Sequence, residues 1–290
     1  MGFTSHTVRR EWMVACCFLF PSVVGFSIFY LIPFIISIAV SFRESPDSGG
    51  LTFRFYAEVL GSQSFRKAAV NTFWFASFSV PLLVSVSLGL ALLLNRRVFL
   101  RRWLRAGFVL PLVIPAASIV LVWQILFDWN GTLNVVLTQG GFPYRDWFKS
   151  DWARVIVISI YVWKYVGYNV ILFLAGLQNI PSSYYEIAEL EGAGPMRKLF
   201  AITLTYLTPS TFLVVLMSVL NAFKAFRETY LLAGDYPHDS IYMTQHYMNN
   251  MFLSLEAQKL SAAAVLTAAG IFALIVLFQR SERRFRAYME

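Results

Sequence analysis

Six long apolar stretches take up most of this chain. They cover residues 12–42, 68–94, 106–127, 152–177, 209–226 and 260–279. A bilayer core about 30 Å thick needs roughly 20 apolar residues in a helix, and backbone in lipid must satisfy its own hydrogen bonds. No stretch shows the period-two alternation of a membrane strand. The sequence therefore predicts an all-α membrane protein with six transmembrane helices. The first stretch is longer than one span needs, and Pro21 and Pro33 are placed to bend it. Pro81, Pro111 and Pro115 fall inside other spans, where neighbouring helices satisfy the carbonyls that a proline frees. No stretch is left for a separate soluble domain, so residues 1–290 are expected to form a single transmembrane domain.

Composition agrees. Charged residues make up 14% of the chain, against about 25% in a soluble domain. The 27 Phe, 14 Tyr and 8 Trp suit a protein with aromatic residues at two membrane interfaces. A net charge of +8 is compatible with nucleic-acid binding, but the charges lie beside the apolar spans, where they set topology instead. One set of loops and termini carries Arg9, Arg10, Arg96, Arg97, Arg101, Arg102, Arg105, Arg197, Lys198, Arg280, Arg283, Arg284 and Arg286. The other carries Arg43, Arg54, Arg66, Lys67, Arg145, Lys149, Arg227 and Lys259, mixed with acids. The positive-inside rule places both termini, the 95–105 loop and the loop around Glu186 in the cytoplasm, and turns 43–67, 128–151 and 227–259 outward. Cys16 and Cys17 are adjacent, inside an apolar run, and have no metal-ligand spacing; they read as small packing residues, with lipid attachment as the alternative.

The loop at 182–205 is more than a connector. Ser183 and Glu186 have capping-box spacing, which predicts a helix to about Glu191. Gly192 can turn the chain sharply, and Pro195 suits the first position of a second helix. Phe200, Ile202 and Leu204 are placed to hold that helix against the membrane domain. A compact element built in a short cytoplasmic loop is a surface offered to a soluble partner.

This loop resembles the EAA loop of bacterial ABC-importer permeases: Glu-Ala-Ala, three residues, Gly, nine residues, Ile-x-Leu-Pro. Glu186, Ala188, Gly192, Ile202 and Leu204 match in register; Ile187 replaces the first alanine and Thr205 the proline. Because Thr205 keeps its N–H, the second helix is expected to run further toward Pro209. Phe20-Pro21, Phe29–Pro33, Asn71-Thr72, Val109-Leu110-Pro111, Trp163-Lys164 and Leu174–Pro181 look like the carbohydrate-uptake branch of that family. The resemblance implies the type I ABC-importer permease architecture and a bacterial cytoplasmic membrane location. It also implies a second homologous permease subunit, two cytoplasmic ATPase subunits that hold ATP and Mg, and an extracytoplasmic solute-binding protein. Glu186, Ala188, Glu189, Gly192 and Ala193 are the implied ATPase-coupling residues.

Polar groups inside a membrane span are expensive and default to a functional reading. Lys164, Tyr165, Tyr168 and Asn169 share one face of the fourth span; Ser218, Asn221, Ala222 and Lys224 or Ala225 form a similar face on the fifth. By their place relative to the coupling loop, both resemble the sugar-contacting helices of maltose-type permeases. Lys164, Tyr165, Tyr168, Asn221 and Lys224 are the substrate-path candidates. The plainer readings stay open: the tyrosines as packing, Asn221 as interhelical glue, Lys164 paired with a carboxylate or carbonyl, Lys224 snorkelling. Trp123, Gln124 and Asp128-Trp129-Asn130 read as an interfacial anchor and loop start.

The main expectation is a non-enzymatic permease subunit forming half of an ATP-driven sugar path by alternating access, paired with a different permease chain. The alternative is a secondary transporter of a small polar solute, which would need its own ion site; no Asp or Glu falls in a span centre as drawn. His6, His238 and His246 lie outside span centres, and neither His-Glu-x-x-His, Gly-x-Ser-x-Gly nor a phosphate-cradling loop is present. ATP must then be hydrolysed by a partner, and this chain is expected to hold no cofactor or metal and to bind no nucleic acid.

Overall fold

The computed structural model describes residues 5–44, 50–95 and 101–287. Arg96 and Arg97 of the basic loop lie outside the described residues. In chain order the helices are α1 (Ser5–Phe26), α2 (Ile32–Phe42), α3 (Arg54–Gly61), α4 (Gln63–Asn95), α5 (Arg101–Val113), α6 (Ala116–Phe127), α7 (Thr132–Gln139), α8 (Trp152–Gln178), α9 (Ser182–Leu190), α10 (Pro195–Lys198), α11 (Leu204–Tyr206), α12 (Thr208–Ala222), α13 (Phe226–Ala233), α14 (Thr244–Leu253) and α15 (Ala257–Ala287). Among the described residues, six stretches are long and apolar enough to cross a membrane. The chain packs as two units: residues up to Ser62 with Met248–Ile271, and Gln63–Tyr247 with the chain from Phe272 onward.

In the first unit, α1 and α2 are joined by a π turn at Ser27–Leu31, so the long first span is one distorted helix. Pro33, the second residue of α2, has no N–H to donate. The widened turn takes up that defect, with the Ile32 N–H reaching back to the Ser27 carbonyl. The side chains of this span are largely exposed. Beyond it, Ser41 bonds Tyr56 at 2.7 Å, Phe42 packs against Phe53 and Tyr56, and Glu58 lies between Arg54 and Lys259. The two cations hold the Glu58 carboxyl below its ordinary range, the hydrogen bond from Arg54 contributing most.

The second unit is built on α8, with α4, α5 and α12 packed against it. Phe75, Leu83, Ala91, Val170, Phe173 and Val214 are buried in one cluster. Lipid supplies no hydrophobic drive for helix association, so close backbone approach matters. Gly167 shows this: a Cβ there would collide with the Phe108 carbonyl, so α5 crosses α8 backbone to backbone. A second cluster joins Ile119 and Val120 of α6, Trp147, Ile156 and Ile160 of α8, and Leu232 of α13. Buried Asn134 braces the 128–147 connection, donating to the Trp129 and Arg145 carbonyls at 2.9 Å and accepting from Trp147 Nε1 at 2.9 Å. The expected interfacial Trp129 stacks on Tyr144.

Two spans differ from the sequence reading. The third, drawn as 106–127, is two helices parted at Ile114 and Pro115. Pro115 has an extended ψ of 140° and caps α6; it lacks an N–H and pushes the preceding residue out of the helical region. Pro81 and Pro111, in contrast, lie inside continuous helices. The fifth span, drawn to end at 226, continues after a tightened turn into α13 and ends at Ala233. Arg227 and Glu228 therefore belong to a span and not to the 227–259 loop. Hydropathy falls there because of Arg227 and of Glu228, whose charge the fold pairs with Lys164.

Candidate functional site

Two regions hold the candidate residues. The first is the 182–205 loop. Its helix α9 begins without the expected capping box: Pro181, with its fixed φ of −61° and extended ψ, is the cap residue, and no side chain makes the capping bond. Ser183 lies within the first turn and Glu186 is exposed. The stop is as expected. Gly192 has φ +75°, its N–H bonds the Glu189 carbonyl at 3.0 Å, and the Ala193 N–H bonds the Ala188 carbonyl at 2.8 Å. This is a Schellman motif with glycine at the left-handed position. Of the five coupling candidates, Ala188, Glu189, Gly192 and Ala193 supply its backbone groups. Pro195 then starts α10, followed by a π turn at Leu199–Thr203 and by α11. The helix passes through Thr205 without a break and turns at Leu207, as the missing proline predicts.

Three contacts hold the two arms together. Lys198 pairs with Glu189 at 3.1 Å, the Tyr185 hydroxyl bonds the Thr203 hydroxyl at 2.9 Å, and the Tyr184 and Tyr206 rings lie 4.9 Å apart. Ile202 is partly buried against the main cluster, whereas Phe200, expected to help hold the arm, is exposed. Ile187 and Leu190, one turn apart on α9, are 55% and 89% exposed. The loop is thus an internally braced element with an apolar edge beside the Glu186 and Glu189 carboxylates.

The second region lies within the spans. Lys164, near the midpoint of α8, is ion-paired with Glu228 of α13. Their side chains are 12% and 8% exposed, and the Lys164 ammonium also lies over the Tyr165 ring. Glu228 lies near the end of its own span, Thr208–Ala233, and its carboxylate neutralises the mid-span lysine. Tyr165 packs on Tyr161, whose hydroxyl donates to the Ser218 carbonyl at 2.6 Å, and Asn169 donates to the Ser218 hydroxyl at 2.9 Å. The polar groups of α8, α12 and α13 form a connected string.

The structure splits the expected face of the fifth span. Ser218, Ala222 and Ala225 are buried in the packing, while Asn221 is half-buried and Lys224 exposed. Tyr168, one turn after Lys164 on α8, is half-buried. Sequence reasoning missed Glu228 and Arg227. The available signal was an acid following a lysine by four residues, Lys224 and Glu228, just past an apolar run. A separate groove lined by Phe73, Val80, Leu216, Val219, Leu274 and Phe278 is almost wholly apolar; Ser77 is the one polar side chain in its lining, too few hydrogen-bonding groups for a sugar's hydroxyls. No cluster with metal-ligand composition occurs among the described residues.

Comparison with known proteins places this arrangement. A family model described as the binding-protein-dependent transport system inner membrane component matches residues 83–287. The chain is 30% identical to the arabinooligosaccharides transport system permease protein AraP of Bacillus subtilis, covering 74% of this chain and 70% of that one. It is 28% identical to the sulfoquinovosyl glycerol transport system permease protein SmoG of Agrobacterium fabrum, covering 83% and 81%. A crystal structure of a bacterial alginate ABC transporter in complex with alginate pentasaccharide-bound periplasmic protein contains a chain of the same fold. The TM-score is 0.83 over 97% of both chains, at 20% identity.

Proposed function

Because the chain belongs to the inner membrane components of binding-protein-dependent transport systems, we propose that it couples saccharide import to partner ATPases through the 182–205 loop. The observation that carries this reading is the braced helix–Schellman–helix element, which presents Ile187 and Leu190 to a partner. In this reading Glu186 and Glu189 meet the ATPase, while Ala188, Gly192 and Ala193 keep α9 a rigid lever. ATP and Mg²⁺ belong to two cytoplasmic ATPase subunits, and this chain is not itself an enzyme. A second, homologous permease completes the path, and an extracytoplasmic binding protein delivers the solute. Charge asymmetry supports cytoplasmic termini in a bacterial cytoplasmic membrane. The named solutes of the relatives above are glycans or glycosides, which supports a sugar substrate.

Within the spans, Tyr165, Tyr168, Asn221 and Lys224 are the proposed path residues of this chain. Tyrosine faces stack on sugar C–H faces, and the amide and ammonium serve hydroxyls. Lys164 is already committed to Glu228, so its part is to hold α13 against α8. The test is copurification. Gly192→Val and Glu186→Lys should insert normally yet recover less ATPase and transport less solute. Normal ATPase recovery and normal transport by both would refute the coupling assignment.

A further inference from the structure

Between α12 and α13 the backbone tightens. The Lys224 N–H bonds the Asn221 carbonyl at 3.0 Å and the Arg227 N–H reaches the Lys224 carbonyl at 3.5 Å. Bonds three residues apart give a turn with three residues per turn, in which side chains at i and i+3 eclipse. Asn221, Lys224 and Arg227 are therefore stacked along one edge. Lys224 and Arg227 are exposed in this chain, and neither has an ion pair among the described residues.

Depth makes this edge informative. Glu228, the next residue, is fixed to Lys164 near the midpoint of α8. At 1.5 Å per residue Arg227 is about 9 Å inside the Ala233 end of its own span. A guanidinium at that level facing lipid is costly, so it belongs on a water-filled cavity or against an anion. Two cations one tight turn apart also repel each other. Glu228 cannot relieve them, because its carboxylate is held by Lys164.

We infer that Arg227, with Lys224 and Asn221, binds the acid group of an anionic saccharide, so that the solute of this importer carries a carboxylate or sulfonate. This deepens the saccharide-path reading and rests on it. The guanidinium offers the paired donors that match a planar carboxylate, the ammonium supplies the second charge, and the Asn221 amide is left for an adjacent hydroxyl. The rival occupant, a carboxylate of the second permease, is decided by the test.

The experiment uses the complete importer, with its partner permease, ATPases and binding protein, reconstituted in proteoliposomes. The probes are trigalacturonate and its fully methyl-esterified, uncharged counterpart. The expected result is uptake of the charged probe, reduced at least tenfold by Arg227→Gln and restored in part by Arg227→Lys, with binding-protein affinity and complex assembly unchanged. Uptake of the ester in preference to the acid would overturn the inference while leaving the saccharide reading standing. So would wild-type uptake of the acid by Arg227→Gln. Loss of assembly in Arg227→Gln would assign the guanidinium to a subunit contact and overturn it too. Uptake of neither probe, nor of a panel of uncharged oligosaccharides, would defeat both readings.

Discussion

The coupling loop and the intramembrane polar string are built on opposite plans. In the loop the backbone is fixed and the side chains are free: a Schellman stop, a proline start and three bracing contacts hold a helix whose Ile187 and Leu190 face outward. In the string the side chains are fixed to one another, Glu228 to Lys164, Tyr161 and Asn169 to Ser218, and the backbone beside them is irregular. A part that transmits force needs rigidity and an open surface. A part lying in a low dielectric needs its charges compensated before it can do anything else. Substitutions should therefore damage the two regions differently, through stability in the spans and through partner binding in the loop.

The largest effect is expected at the ion pair. Glu228→Gln leaves a lysine buried without its partner, which costs about 3–5 kcal/mol, read as a lower thermal unfolding midpoint of the purified complex. The double replacement Lys164→Met with Glu228→Met should recover much of that loss. A Glu228→Gln protein as stable as wild type would mean the pair is not desolvated, and the contrast between the regions would fail. Gly167→Ala comes next, because the new methyl meets the Phe108 carbonyl and must push α5 away; overpacking of this kind costs about 1–3 kcal/mol. The same assay checks it.

Acid should act on the rim of the spans through His246. It is buried beyond the fifth span, with its ring 4.8 Å from Phe226 at the start of α13. Burial pushes its pKa down to about 4, while Asp235 pulls the other way. The folded state thus takes up the proton less readily than the unfolded chain. Its contribution to stability is complete above about pH 6.5 and is lost as pH falls from there to about 4, by roughly 1.4 kcal/mol per pH unit at most. Unfolding midpoints measured from pH 7 to pH 4 should fall, and His246→Gln should flatten the fall. The smallest effect is expected in the loop: Tyr185→Phe removes one hydroxyl contact to Thr203, worth about 1 kcal/mol. Its signature is weaker ATPase coupling with an unfolding midpoint lowered far less than by Glu228→Gln.

The two regions also differed in how far they could be read from sequence. The loop's stop was legible because its signals are local. Gly192 and Pro195 act on their own backbone, and the Thr205-for-proline exchange correctly predicted an unbroken helix. The start was misread because Pro181 outcompetes Ser183: a fixed φ begins the helix before a serine side chain is needed. In the spans, hydropathy found six, although the third lies at Ala116–Gln139 and not at 106–127, and Lys164 was recognised as costly. Its partner was not, since Glu228 is 64 positions away in the chain and lies beyond the point where the apolar run ends. A charge that tertiary pairing neutralises looks like a loop to any local reading. Pro115 and Pro111 made the same point on the backbone: both lie in one apolar run, yet only Pro115 breaks the helix.

Site-directed cross-linking tests the central claim most directly. In a background with Cys16 and Cys17 replaced by serine, a single cysteine is placed at Leu190 on the exposed edge of α9, and in a second protein at Lys224 in the spans. The account predicts that Leu190→Cys cross-links to the soluble ATPase subunit in the assembled importer and that Lys224→Cys does not. Absence of any ATPase adduct at Leu190, with adducts forming from the span position instead, would contradict it.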